Sequence, residues 1–147
     1  MAVTYGTTDR LTGGTASATE GTGTAASAVD DNSSTYWQST TANQASWIYD
    51  FGSNLWKISK IGITGYNSWN LNAFEIYVTS DGGSDVLKYS GNLTDNETEQ
   101  YFTFTNNGMI RYVKLKVISG TGAQTNIREL EAFEGIYPPS GAFMFFL

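Results

Sequence analysis

Neither cysteine nor histidine occurs in the 147 residues of this chain. Without cysteine there is no disulfide framework, no thiolate zinc site and no cysteine nucleophile, and the redox compartment is left open. Without histidine the chain lacks the imidazole on which most triads, zinc sites and proton relays at neutral pH depend, so an enzyme is not expected. Charge is sparse and of the wrong sign for some partners: 8 Lys and Arg stand against 14 Asp and Glu, a net charge of −6. That balance argues against a nucleic-acid backbone or an anionic lipid surface as partner. No run approaches the ~20 apolar residues of a membrane helix. Residues Met1 to Gly6 show no basic stretch leading into an apolar core, so a secretory signal is not expected there.

What the chain does have is Ser, Thr, Asn and Gly in abundance and 14% aromatic residues, a composition typical of extracellular or virion β-proteins. Its length suits one domain with one core. Residues 6 to 26 are mostly small and suit a weakly packed first strand plus loops. From Ser46 onward, short runs rich in aromatic and β-branched residues are expected to form strands: 46–51, 56–66, 73–79, 86–89, 99–104, 109–118 and 126–133. Alternation is clearest where Val113, Leu115 and Val117 share one face. Asp81-Gly82-Gly83-Ser84 reads as a turn, and Asn107-Gly108 reads as a tight hairpin. Many short strands at this spacing point to an all-β sandwich or barrel, with no major helix.

Five segments carry a resemblance to a known family. They are Ala28-Val29-Asp30-Asp31-Asn32-Ser33-Ser34-Thr35-Tyr36-Trp37, Trp47-Ile48-Tyr49-Asp50-Phe51-Gly52, Phe74 to Gly82, Arg111-Tyr112-Val113-Lys114-Leu115, and Ile127-Arg128-Glu129-Leu130-Glu131-Ala132-Phe133. In this order they resemble discoidin-like (galactose-binding-like) domains, the group that includes coagulation-factor type C domains and family 32 carbohydrate-binding modules. The resemblance spans roughly residues 15 to 135. It implies an antiparallel β-sandwich, a discoidin-like jelly roll, over residues 1–135, followed by a short apolar C-terminal tail over residues 136–147.

A hard cation such as Ca²⁺ takes six to eight oxygen ligands from a tightly turning loop, and Asp30, Asn32 and Thr35 offer suitable donors. Standing alone, this stretch reads first as a polar turn. The resemblance completes it as a site for one structural calcium ion, adding the Ser27 carbonyl, the Arg128 carbonyl and the Glu129 carboxylate. Relatives usually carry Ala where Arg128 stands, which a carbonyl ligand tolerates, and Gly where Asp31 stands. If that position needs positive φ, Asp accepts it better than most residues. The ion would close a loop of about a hundred residues and pin the first loop to the last strand.

In carbohydrate-binding relatives, sugars sit in loops at one end of the sandwich. Here Tyr66, Asn67, Trp69 and Asn70 form the loop that combines stacking faces with amide groups, so a glycan contact is a candidate there. Packing of Trp69 on the sandwich edge is the alternative. The resemblance implies that Trp37 and Trp47 are core residues. Membrane insertion is not expected, because protruding apolar loop tips with basic neighbours are not evident.

After Pro138-Pro139 the chain continues Ser140-Gly141-Ala142-Phe143-Met144-Phe145-Phe146-Leu147. Burying each large apolar side chain is worth roughly 1.5–3 kcal/mol, so this tail is expected to fold back or to dock on a partner. Docking points to a structural or decoration subunit of an extracellular assembly such as a phage virion. Its partners would be other copies of itself or a capsid, tail or fibre protein. A secreted carbohydrate-binding adhesion module, meeting cell-surface glycans, is the alternative.

Overall fold

The computed structural model describes residues 2–41, 43–66 and 69–139. Its strands fall into two antiparallel sheets packed face to face. In the first, β1 (Thr4–Tyr5), β10 (Asn126–Ile136), β5 (Ile58–Gly65) and β8 (Gln100–Thr103) lie side by side, and β3 (Trp37–Gln38) also pairs with β10. The second has the order β2 (Thr15–Ala18), β4 (Ser46–Asp50), β9 (Tyr112–Val117), β6 (Ala73–Thr79) and β7 (Val86–Asn92).

Side-chain alternation sets the inward faces. Val113, Leu115 and Val117 of β9 and Phe74, Ile76 and Val78 of β6 are buried, as period-2 strands with one covered face require. Trp37 and Trp47 are fully enclosed. Each satisfies its indole N–H on a backbone carbonyl, Trp37 on Glu20 at 3.0 Å and Trp47 on Ala25 at 2.8 Å. The second bond ties the core to a 3-10 helix, Thr22–Ala28, and the first to the residues just before it; the small residues of the N-terminal segment form this helix, which delivers the chain to Asp30.

Two departures from the sequence reading concern connections. Asn107-Gly108 does not close a hairpin, because β8 belongs to the first sheet and β9 to the second. The link crosses between sheets and is held by buried Asn106, whose amide donates to the Ile58 carbonyl at 2.9 Å and the Gly108 carbonyl at 3.2 Å. The sandwich also continues past residue 135. Strand β10 ends at Ile136, and the Tyr137 hydroxyl bonds the Ser59 hydroxyl and accepts from the Asn106 N–H, both at 2.6 Å. Residues 140–147, the apolar part of the expected tail, lie outside the described residues. Among the described residues, no helix is long and apolar enough to cross a membrane.

Candidate functional site

The 3-10 helix ends beside a tight loop whose polar groups face one another. The Asp30 carboxylate accepts from the Asn32 N–H at 3.0 Å and from the Thr35 hydroxyl at 2.9 and 2.7 Å. The Asn32 side-chain oxygen accepts from the Ser34 N–H at 3.0 Å. Asp31 occupies the left-handed region at φ 54, where Asp is among the better tolerated residues. Glu129, on β10, reaches this loop from the far end of the chain, and its carboxylate accepts from the Asp31 N–H at 3.4 Å.

Arg128 stands at a register shift of β10 against β5: Ile127 pairs with Gly65, Glu129 with Thr64, and Arg128 has no partner in that register. Such a bulge frees one residue from the ladder and redirects its side chain. The guanidinium lies 4.7 Å from the Tyr66 ring centroid and 3.1 Å from a Glu97 carboxylate oxygen. Asp31, Ser33, Thr64, Glu99, Arg128 and Glu129 line an open cleft of about 360 Å³.

Two further carboxylates that the sequence reading did not single out, Asp9 and Glu131, converge on Asp31. Asp9, Asp31 and Glu131 each present an oxygen within 4.8 Å of the others. Burial pushes the Glu129 carboxyl up to about 8, helped by the charges of Asp31, Asp30 and Asp9. Burial and a hydrogen bond with Glu99 push Glu131 up to about 7. Glu131 follows Glu129 by two residues on one strand, a spacing that signals a shared face. Asp9 carried no such signal, because its place is set by hydrogen bonds from the N–H groups of Leu11, at 3.0 Å, and Ala132, at 2.8 Å. The donors of the Asp30 loop and Glu129 are all hard oxygens, which suits Ca²⁺ and not a soft metal. Of the six expected ligand residues, Asp30, Asn32 and Thr35 contact one another, Glu129 faces their loop and Arg128 sits at the bulge. Ser27 lies in the last turn of the 3-10 helix.

The expected glycan loop divides. Trp69 is 40% exposed, and a Cβ at Gly122 would collide with its indole, so the ring rests directly on that glycine. Its carbonyl accepts from the Asn126 N–H at 2.7 Å. Asn70, by contrast, is 2% exposed and donates its amide to Asp95 at 2.6 Å, so it supports the loop from beneath and is not a surface contact. Tyr66 is half-buried and stacks on Tyr36, with ring centroids 4.3 Å apart and planes at 17°. Asn67 lies outside the described residues.

The family model for the F5/8 type C domain matches residues 13–130, which contain both the Asp30 loop and Glu129. The chain belongs to this family. A search of curated protein sequences found no match. Among solved structures, this F5/8 type C domain is similar to the family 32 carbohydrate-binding module of C. perfringens NanJ, solved in complex with galactose. The two are 27% identical over 90% of this chain and 100% of that one, with a TM-score of 0.76. A second carbohydrate-binding module from Clostridium perfringens, in complex with GalNAc-β-1,3-galactose, is 22% identical over 84% of this chain and 96% of that one, with a TM-score of 0.73. The lectin domain of lectinolysin, complexed with Lewis B antigen, is 21% identical over 87% of this chain and 97% of that one, with a TM-score of 0.72. The last two likenesses speak to the fold alone.

Proposed function

We propose that this F5/8 type C domain is a non-catalytic, calcium-stabilised glycan-binding module whose stacking platform is Trp69. The observation that carries this reading is the exposed indole seated on Gly122, in a loop whose backbone is fastened to Asn126 and whose buried side is closed by Asn70. A rigid aromatic face beside polar loops suits the apolar face and hydroxyl rim of a sugar. The galactose complex of the NanJ module supports the ligand class. The calcium part of this reading is supported by the oxygen donors of the Asp30, Asn32 and Thr35 loop facing Glu129. When bound, the ion would supply a counter-charge that holds the loop and β10 together, with the Ser27 and Arg128 carbonyls completing the ligand set. Isothermal titration of galactose and a glycan array, with the parent and Trp69→Ala, test the glycan reading. Binding unaffected by Trp69→Ala would sink it.

A second reading, a subunit of an extracellular assembly such as a phage virion, draws on the apolar composition of residues 142–147 and on the exposed side chain of Ile136. The two readings are compatible. The partner would be another copy of this chain or a capsid, tail or fibre protein, and sedimentation of the full chain against a deletion of residues 138–147 tests it.

A further inference from the structure

Tyr36 directly follows Thr35 of the Asp30 loop, and its ring stacks on Tyr66 of the loop that carries Trp69. Arg128, one residue before Glu129, places its guanidinium over the same Tyr66 ring. Two residues earlier on the same strand, the Asn126 N–H holds the carbonyl of Trp69, and the Asn126 side chain accepts from the Gln38 amide at 2.9 Å. The cation loop and the stacking platform are therefore joined twice, through the Tyr36–Tyr66–Arg128 stack and through the first residues of β10.

We propose that Tyr36, Tyr66 and Arg128 are positioning residues that couple calcium occupancy to the placement of Trp69, so that the ion tunes the glycan face as well as the stability of the sandwich. This rests on the calcium reading given above. The physical reason is the bulge at Arg128. The calcium reading gives this residue's carbonyl to the ion, and its side chain lies over Tyr66, so ordering the carbonyl would order the guanidinium. Tyr36 is constrained likewise by its bond to Thr35, whose hydroxyl points into the Asp30 carboxylate. Coupling of this kind is reciprocal: what calcium does for the platform, a ligand on the platform does for calcium.

The full chain in a Trp56→Phe background reads this directly. Trp37 and Trp47 are enclosed, so acrylamide quenching of the remaining emission reports Trp69. Calcium chloride added after chelator treatment should reduce the quenching, while calorimetry records calcium heat in the same sample. Tyr66→Ala should lose the change in quenching and keep the calcium heat, and Tyr66→Phe, which keeps the stacking face, should restore the change. Calcium heat with unchanged quenching in the parent overturns the coupling and leaves the calcium reading standing. A response that survives Tyr66→Ala also overturns it. Absence of calcium heat overturns both.

Discussion

Glu129 and Asp31 are 98 positions apart in the chain, yet the Glu129 carboxylate lies against the Asp31 N–H at 3.4 Å, inside a group of acids that includes Asp30 and Asp9. The contact joins the first loop of the sandwich to its last strand. Like charges drawn together in this way favour a proton or a cation between them.

Calcium should therefore raise the melting temperature, and a chelator should lower it. At a calcium concentration a hundredfold above Kd, binding to the folded state alone adds about 2.7 kcal/mol, or roughly 5–10 °C for a domain of this size. Differential scanning calorimetry with calcium chloride and with chelator measures it. Asp30→Ala and Glu129→Gln should remove most of the calcium-dependent shift.

Without calcium, stability should fall as pH rises. The Glu129 carboxyl is raised from 4.5 to about 8 in the folded state, mainly by burial, so the folded chain holds that proton more tightly than the unfolded one. Its favourable contribution is complete below about pH 4.5 and is lost as pH rises through about 8. Glu131, raised to about 7 by burial and its bond with Glu99, acts in the same direction. Melting curves in chelator from pH 5 to 8.5 should show the decline, and Glu129→Gln should flatten it.

Trp69→Ala should abolish galactose binding with little change in melting temperature, because the ring is 40% exposed. Gly122→Val attacks the same platform from below. A side chain there collides with the indole, so binding should weaken even though every residue of the expected sugar loop is intact. Calorimetric titration of both variants, with circular dichroism to confirm the fold, checks this.

Trp47→Ala should cost about 3–5 kcal/mol, the range for truncating a fully buried aromatic side chain. Trp47→Phe keeps most of the volume but strips the Ala25 carbonyl of its indole donor, at about 1–3 kcal/mol. Urea unfolding resolves the two, and a loss below 1 kcal/mol for Trp47→Ala would count against its place in the core.

Deleting residues 138–147 should leave a folded chain, since Tyr137, which bonds Ser59 and Asn106, is retained. Tyr137→Phe removes the acceptor of the Asn106 N–H and should cost about 1–3 kcal/mol. Thermal melts of both variants test whether the sandwich ends at Tyr137.

The β-sandwich and the placement of most strands were legible in the residues themselves, because alternation over two positions and turn chemistry are local properties. Val113, Leu115 and Val117 declare an inward face without reference to any other strand. The Asp30 loop was legible as a turn and, through the family resemblance, as a partner for Glu129. What only the tertiary structure decided are relationships fixed by strand order and sheet stacking. These put Asn107-Gly108 on a crossover between sheets, seat Asn70 beneath its loop and leave Trp69 bare upon Gly122. They also bring Asp9 to Ala132, 123 positions away, among acids drawn from three separate stretches of the chain. Charges act through space and alternation acts along the chain, so the scaffold can be read from the sequence, whereas the surroundings of each carboxylate follow from the fold.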